Sequence, residues 1–198
     1  MIDRALNNPI EAHLHAIVAL VTSYNLYRLA ERVRRRATFL MRAEKGDCRK
    51  LLAVRDALIM ALYAANAPAG WANAFCDGSS LSRNNERHAG IGVIVLSESG
   101  QRITQLFSYI GNKSAFEAEA QAVSVVLRAA VKLHLSRIRV HTDNKALVRL
   151  WREHRRDTRL DAIRAHVAQV EKLQLCAIPR LHNQAANNLA KQAALSRK

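Results

Sequence analysis

The segment ANAFCDGSS, residues 72–80, contains an apolar run that ends in an aspartate and a turn-forming Gly-Ser pair. A short apolar run with a turn signal at its end predicts a buried β-strand, here over Ala72 to Asp77. Functional sites in open α/β sheets form at the carboxyl ends of strands, so Asp77 is a candidate site residue. An aspartate before Gly-Ser is also common turn chemistry, and the segment alone does not separate the two interpretations.

The rest of the chain after residue 70 alternates between strand and helix patterns. Two strands joined by the turn SESG, residues 97–100, predict an antiparallel start to the sheet. Later strands are separated by helices, which predicts an α/β fold with a mixed five-stranded sheet and helices on both faces. After the first strand, the predicted elements are strands at 89–96 and 102–110, a helix at 115–133, a strand at 137–142, helices at 144–153 and 158–171, a strand at 173–178 and a helix from about 184.

Residues 1–66 have a different, helical periodicity. Apolar residues at three- and four-residue spacing predict one helix from Pro9 to about Arg36 and a second from about Asp47 to Asn66, together a basic α-helical hairpin. Residues 67–70, APAG, interrupt this pattern and form the predicted linker to a second domain at 71–198. The hairpin could increase substrate affinity, mediate self-association or bind a protein partner, and its sequence does not choose among these roles.

The chain carries a large excess of positive charge. Its 198 residues include 31 Lys and Arg against 16 Asp and Glu, a formal net charge of +15. Nucleic acid is the first candidate partner for such an excess, although a basic surface can also simply keep a protein soluble. The three cysteines lie far apart without metal-ligand or disulfide spacing, which favours a reducing, cytoplasmic setting. No apolar run is long enough and free enough of charge to predict a membrane span.

Three acidic residues stand out by position within this basic chain. Asp77 ends the first predicted strand, Asp143 follows the fourth in HTDN, and Glu119 lies early in the helix at 115–133. Carboxylates that converge in a cleft repel one another unless a cation holds them, and Mg²⁺ prefers such oxygen ligands. Taken singly, Asp143 is also typical of a helix cap. Taken together, the three carboxylates predict a divalent-metal site.

A series of segments in the same order resembles the motifs of the ribonuclease H family, type 1, and in particular its short bacterial, archaeal and plant-like members. The resemblance covers about residues 73–195. It implies a ribonuclease H-like fold for the second domain, with Glu119 rather than Glu117 as the helix glutamate of the active site. The segments that carry the resemblance are FCDGSS, AGIGVIVLSESGQ, AEAQAV, HTDNKALV and IPRLHNQAANNLAKQA.

The resemblance implies an enzyme that hydrolyses the RNA strand of RNA/DNA hybrids by a two-metal mechanism, leaving 5′-phosphate and 3′-hydroxyl ends. One cation would lower the pKa of the attacking water, and the other would stabilise the departing 3′ oxygen. The cofactor would be Mg²⁺ or Mn²⁺, with two ions per active site. The metal ligands, which are also the main catalytic residues, would be Asp77, Glu119, Asp143 and Asn187.

Further residues receive roles from the same resemblance. His182 lies in the loop before the last helix, where it would assist proton movement or product release. Asn183 follows it and is in addition predicted to cap that helix, a position that asparagine favours. Nucleic-acid contacts are implied for Gly78, Ser79, Asn112, Ser114 and Asn183.

Asn187 is the main departure from the family pattern. It stands where the pattern Asn-x-x-x-Asp-x-Leu-Ala has an aspartate. An amide oxygen can bind Mg²⁺ but brings no charge, so weaker cation binding, slower catalysis and a preference for Mn²⁺ are expected. Two alternatives stay open: a catalytically weakened module that binds hybrid or duplex RNA, and a DNA strand-transfer enzyme that uses the same carboxylates.

Overall fold

The computed structural model describes residues 49–83 and 85–196. Contacts divide the chain into two compact units, Met1–Ile59 and Met60–Lys198. The predicted helix at 9–36 lies outside the described residues. The helices are α1 (Arg49–Ala65), α2 (Ala115–Lys132), α3 (Lys145–Arg152), α4 (Asp161–Val167) and α5 (Gln184–Leu195), and the strands are β1 (Ala72–Arg83), β2 (Glu86–Leu96), β3 (Arg102–Gly111), β4 (Arg137–Thr142) and β5 (Lys172–Ala177).

The second unit is built on a five-stranded sheet with the strand order β3-β2-β1-β4-β5. β2 pairs antiparallel with both β1 and β3, whereas β4 runs parallel to both β1 and β5. The chain reaches β2 and β3 through short turns and reaches β4 and β5 through helices, as antiparallel and parallel connections require. The predicted α/β fold with a mixed five-stranded sheet flanked by helices is confirmed.

The last residues of α1 belong to the second unit. Met60 and Ala64 are buried there in one cluster with Phe75 and Ile94 from the sheet. The helix ends in a turn in which Ala67 N donates to the Ala64 carbonyl at 3.0 Å, and the proline that follows cannot continue a helix. Like the other helices in the described part of the chain, α1 lacks the length or the apolar character needed to cross a membrane.

Strand β1 is longer than the sequence predicts. Its expected end is Asp77, but β1 continues to Arg83 because it pairs with β2 along its full length. Its parallel pairing with β4 stops earlier, at Phe75 and His141. Asp77 therefore lies within a strand, just beyond the point where β1 and β4 cease to pair.

The helix predicted at 158–171 is shorter than expected. A 3₁₀ turn occupies Thr158–Leu160, and α4 then extends only from Asp161 to Val167. Asp157 Oδ1 accepts a hydrogen bond from Arg159 N at 2.9 Å, which closes the tight turn ahead of α4. The apolar spacing that predicts one long helix is therefore shared between a turn and a short helix.

Apolar side chains are buried on both faces of the sheet. One cluster joins the sheet to α2, α3 and α4 and includes Cys76 and Ile163. The other joins it to α5 and the end of α1 and includes Phe75 and Leu189. Because successive strand residues point to opposite faces, Asp77 lies on the same face as Phe75, which is the face covered by α5.

Helix α5 approaches β2 closely at Gly92. A Cβ atom at this position would lie 2.4 Å from the Ala186 carbonyl oxygen and 2.6 Å from the Leu189 Cβ. Only a hydrogen atom fits in that space, so the glycine is required by the packing of the helix on the strand. The close approach places Asn187, on the same turn of α5, beside Asp77 on the neighbouring strand.

Candidate active site

Three carboxylates meet where β1 and β4 cease to pair. Asp77 comes from β1, Glu119 from an early turn of α2, and Asp143 from the residue after β4. One carboxylate oxygen from each residue lies within 4.8 Å of the other two. Asp77 and Glu119 are almost fully buried, with 2% and 8% of their surfaces exposed. The structure thus brings together the three acidic residues that the sequence singles out.

Gly78 lets α2 approach β1 closely enough for Glu119 to reach Asp77. A Cβ atom at position 78 would lie 2.2 Å from both the Ala118 carbonyl carbon and the Glu119 nitrogen. Since these are backbone atoms, any side chain at position 78 would push the helix and its glutamate away. The nucleic-acid contact expected of Gly78 stays a prediction, and the packing requirement is an additional reason for glycine there.

Burial among like charges raises the pKa of two of these carboxyl groups. Desolvation is the main cause for both Asp77 and Glu119, and the negative charges of their cluster neighbours add to it. A hydrogen bond from Asn187 and the charge of Arg180 act in the opposite direction and lower the pKa of Asp77. Without a cation the cluster therefore favours bound protons, and a divalent cation would take their place.

The consecutive residues Thr142, Asp143 and Asn144 have three different roles: the first orients Glu119, the second belongs to the acidic cluster and the third caps α3. Thr142 Oγ1 donates to Glu119 Oε2 at 3.1 Å and so orients the glutamate. Asn144, rather than Asp143, caps α3, because its Oδ1 accepts from Leu147 N at 2.9 Å. The aspartate between them is therefore available to the carboxylate cluster.

Asn183 lies at the N-cap of α5 and holds Asp143 with its side chain. The predicted cap position is confirmed, but the side chain makes no cap hydrogen bond. Its Nδ2 donates to the Cys76 carbonyl at 2.9 Å and to Asp143 Oδ1 at 3.2 Å. Asn183 is 1% exposed, so it is a buried connection between the start of α5, strand β1 and Asp143. Its predicted contact with nucleic acid stays a prediction.

Asn187 contacts the carboxylate cluster directly. It lies on the first turn of α5, is 3% exposed, and donates from Nδ2 to Asp77 Oδ2 at 2.9 Å. The sequence places this residue at the fourth position of the metal site, and the structure places it next to Asp77. Its predicted role as a ligand stays a prediction.

Arg180 is a neighbour of the cluster that sequence reasoning missed. Its Nη1 lies 3.7 Å from Asp143 Oδ2, and 68% of its side chain is exposed. It belongs to a 3₁₀ turn, Arg180–His182, that immediately precedes α5. The sequence does contain a basic residue close to the predicted catalytic histidine, in the segment IPRLHN, residues 178–183.

His182 lies in the same 3₁₀ turn and is partly exposed. Its Nδ1 forms a hydrogen bond of 2.8 Å with the hydroxyl of Tyr63 at the end of α1. The two residues are 119 positions apart, so no local pattern in the sequence indicates the contact. The catalytic role of His182 stays a prediction, and Tyr63 is its newly identified neighbour.

The remaining predicted substrate contacts are Ser79, Asn112 and Ser114. Ser114 caps α2: its Oγ accepts from Glu117 N at 3.3 Å and donates to Glu117 Oε2 at 2.6 Å. Glu117 therefore belongs to a capping box and takes no part in the acidic cluster. Ser79 is partly buried and Asn112 is exposed, and their contacts with nucleic acid stay predictions.

The donor atoms of this cluster fit a hard divalent cation. Three carboxylates supply the oxygen ligands that Mg²⁺ and Mn²⁺ prefer. The buried Oδ1 atoms of Asn183 and Asn187 have no hydrogen-bond partner within the described part of the chain. Asn187 Oδ1 belongs to an amide that already touches Asp77, which suits it to serve as an uncharged fourth donor.

The sheet order and the acidic cluster together define a protein of the ribonuclease H-like class. The family model described as reverse transcriptase-like matches residues 75–193, more than half of the chain. The chain belongs to this reverse transcriptase-like family. No curated protein sequence matches it.

Solved ribonucleases H share the fold of the second unit. The ribonuclease H1 of the archaeon Halobacterium salinarum NRC-1 is 23% identical, with a TM-score of 0.56, over 62% of this chain and 96% of that chain. The N-terminal ribonuclease H domain of a Mycobacterium tuberculosis protein is 24% identical, with a TM-score of 0.56, over 63% and 93%. LC11 ribonuclease H1, solved in complex with an RNA/DNA hybrid, is 22% identical, with a TM-score of 0.54, over 62% and 96%.

Proposed function

We propose that the protein is a metal-dependent endoribonuclease that hydrolyses the RNA strand of RNA/DNA hybrids. The observation that carries the proposal is the trio of carboxylates, each with an oxygen within 4.8 Å of the others, on a ribonuclease H-like sheet. Membership of a ribonuclease H-like family supports the hydrolase class. The complex of LC11 ribonuclease H1 with an RNA/DNA hybrid supports this choice of substrate.

The metal site of this proposal consists of Asp77, Glu119, Asp143 and Asn187, holding two Mg²⁺ or Mn²⁺ ions. When bound, such a pair of cations lowers the pKa of the attacking water and stabilises charge on the departing oxygen. Asp77 lies in contact with Asn187 and beside both other carboxylates, so it would hold the cations together with these residues. Because the Asn187 amide adds no charge, Mn²⁺ is expected to support activity better than Mg²⁺.

The other residues of the site orient these ligands and handle the substrate. Thr142 fixes Glu119, and Asn183 fixes Asp143, through the hydrogen bonds described above. The exposed guanidinium of Arg180, beside Asp143, is placed to pair with a phosphate oxygen of the bound strand. His182, in the same 3₁₀ turn as Arg180, would carry a proton to or from the reacting groups.

In the proposed reaction, a water oxygen forms a bond to phosphorus while the bond from phosphorus to the 3′ oxygen breaks. The 3′ oxygen takes up a proton, so the products carry 5′-phosphate and 3′-hydroxyl ends. The backbone around Gly78 and Ser79, together with Glu119, would contact the 2′-hydroxyl that distinguishes RNA from DNA. The net charge of +15 supplies the general attraction for the phosphates of the hybrid.

One observation favours a second candidate, a module that binds hybrid or duplex RNA with little catalysis. Asn187 Nδ2 donates to Asp77 Oδ2 at 2.9 Å, so the amide engages an oxygen that a cation would otherwise bind. If this contact persists when the substrate is present, one cation will bind weakly and the water will be poorly activated.

The direct test uses end-labelled RNA/DNA hybrid, incubated with the full chain in Mg²⁺ or in Mn²⁺. We expect cleavage of the RNA strand only, faster in Mn²⁺, and products that carry the ends stated above when analysed by mass spectrometry. Asp77→Asn should lower kcat by at least about a hundredfold, since the loss of groups that merely support a metal ligand already costs that much. Tight binding of the hybrid without cleavage in either metal would establish the binding module instead.

Asp161→Asn is the matched control for the loss of one aspartate charge. Asp161 is 63% exposed at its side chain and pairs with Arg164 on α4, away from the acidic cluster. We expect the rate of cleavage to stay within about twofold of that of the original chain, as for surface changes remote from a site. An equal loss of activity in both variants would show that the carboxylate cluster has no special role.

The roles of residues 1–66 and the cellular location stay predictions. A basic segment next to a nuclease suits added affinity for the hybrid, self-association or the binding of a protein partner. Sedimentation of the full chain, with and without hybrid, would separate self-association from a contribution to substrate binding.

A further inference from the structure

Tyr63, near the end of α1, forms a hydrogen bond with the candidate catalytic histidine, His182. It lies in the second compact unit, yet outside residues 75–193, the range that the family model matches. It lies on α1, the helix that precedes the first strand of the ribonuclease H-like sheet. Its contacts therefore add a component to the site that the family resemblance does not supply.

The ring of Tyr63 packs against two strands that carry metal-site residues. Its centroid lies 5.7 Å from that of Phe75, edge-on, and 4.9 Å from that of His141. Phe75 precedes Asp77 by two residues, and His141 precedes Asp143 by two. Phe75 and His141 are 1% exposed, so they hold the tyrosine ring against a rigid part of the sheet.

The hydroxyl of Tyr63 extends from this packed ring to His182. The distance from Tyr63 Oη to His182 Nδ1 is 2.8 Å, and the ring centroids are 5.8 Å apart. A phenol hydroxyl both donates and accepts, so it can bond to Nδ1 whether the imidazole is neutral or protonated. The bond therefore restrains the imidazole ring without fixing its charge, as a proton-carrying group requires.

We propose that Tyr63 is a positioning residue that fixes the orientation of the His182 ring. The proposal rests on the proposed function for the catalytic part of its consequences, because His182 matters to the rate only if the chain is a nuclease. When the hydroxyl donates to Nδ1 of the neutral ring, the ring proton is on Nε2, and when Nδ1 is protonated the hydroxyl accepts from it. In this arrangement Tyr63, near the end of α1, contributes a side chain to the candidate active site.

The first test is spectroscopic and needs no activity. Tyr63→Phe in the full chain keeps the ring packing and removes only the hydroxyl. We expect the ¹⁵N chemical shifts of the His182 ring at fixed pH to move towards those of a freely exchanging imidazole, with assignment by loss of the signals in His182→Ala. Tm should fall by no more than about 4 °C, the shift expected for the loss of about one hydrogen bond.

Tyr109→Phe is the matched control. Tyr109 makes the same kind of bond, from its hydroxyl to His88 Nδ1 at 3.1 Å, on strands β2 and β3. This variant should change the ring signals of His88 and leave those of His182 unchanged. If Tyr63→Phe also leaves the His182 signals unchanged, the bond does not exist in solution and the proposal is wrong.

The second test measures cleavage of the RNA/DNA hybrid. Tyr63→Phe should lower kcat by roughly threefold to tenfold, the factor that one hydrogen bond provides, with KM nearly unchanged. In the His182→Ala background the same substitution should have no further effect on kcat. Independent effects on kcat in the double variant would show that Tyr63 does not act through His182. Absence of cleavage by the original chain would count against the proposed function alone, since the ring signals test the positioning separately.

Discussion

Position 187 carries an amide beside the carboxylate cluster, where the pattern that the sequence resembles has an aspartate. The side chain is buried against Asp77 and donates to its Oδ2 at 2.9 Å. In the absence of a cation this contact stabilises the carboxylate and lowers the pKa of Asp77. The amide thus benefits the metal-free protein at the expense of cation affinity, since a neutral ligand attracts a cation less strongly than a carboxylate does.

Asn187→Asp should reverse this balance. We expect Mg²⁺ affinity, measured by isothermal titration calorimetry, to rise by roughly tenfold, and cleavage in Mg²⁺ to become faster. The metal-free variant should be less stable by about 1–3 kcal/mol, because a buried donor to Asp77 is replaced by a like charge.

Asn188→Asp is the control for position 187, because it makes the same chemical change on the next residue of α5, which is exposed. It should leave both Mg²⁺ affinity and metal-free stability almost unaltered. If both variants changed Mg²⁺ affinity equally, the effect would come from the general electrostatic field and Asn187 would not be a ligand position.

Asn187 reaches the candidate active site only because α5 lies very close to the sheet at Gly92. Gly92→Ala would insert a Cβ atom 2.4 Å from the Ala186 carbonyl oxygen, so the helix must move. We expect a loss of about 3 kcal/mol or more in the free energy of unfolding, measured with denaturant, together with weaker cation binding.

Gly111→Ala is a suitable comparison, because its φ of 80° costs energy but no atom lies within 4 Å of the added Cβ. It should cost only about 1–2 kcal/mol and leave cation binding intact.

The order of the elements was predictable from sequence, whereas their contacts were only partly so. Apolar periodicity gives the strands and helices because burial on one face repeats with the backbone period. The family resemblance identifies Asp77, Glu119 and Asp143 in advance, and the structure brings them together. The bond between Tyr63 and His182 was not predictable, because it joins residues 119 positions apart through tertiary packing.

Competition between interactions explains the differences between the predictions and the structure. Asn183 has the residue type and position of a helix cap, but its amide instead bonds to Asp143 and the Cys76 carbonyl. Cross-strand pairing with β2 extends β1 beyond Asp77, and a capped turn at Asp157 shortens the helix predicted at 158–171. For Asn183 and for β1 the deciding partner is distant in sequence, whereas the turn at Asp157 is a local cap that the apolar spacing does not show.

Buried carboxyl groups meet at one site within a strongly basic chain. The net charge of +15 favours association with phosphates, while the carboxylates of the acidic cluster, once ionised, would repel them locally. A divalent cation in the cluster would remove this local repulsion. Binding of nucleic acid at the site and binding of the metal should therefore be cooperative, and both should contribute to the stability of the fold.

The carboxylate cluster should make the metal-free protein less stable as the pH rises from 6.5 to 8.5. Burial raises the pKa of Asp77 to about 7 and that of Glu119 to about 9, with the charge of a neighbouring carboxylate as the next cause. Both values exceed those of an unfolded chain, about 4, so the native state holds more protons than the unfolded state in this window. The free energy of unfolding therefore falls as these protons are lost. Buried His141, whose pKa is lowered to about 3, costs stability mainly below about pH 6.5, so its smaller effect in this window opposes that of the carboxyl groups.

Thermal unfolding in EDTA should accordingly show a Tm roughly 5 °C lower at pH 8.5 than at pH 6.5. Glu119→Gln removes one of the titrating groups and should reduce this difference, which distinguishes the cluster from general effects of pH. Adding Mn²⁺ should raise Tm more at pH 8.5 than at pH 6.5, because at the lower pH the cation must displace bound protons. Equal Tm values at the two pH values in EDTA, together with an equal effect of Mn²⁺, would show that the carboxylates are ionised throughout and that burial does not control their protons.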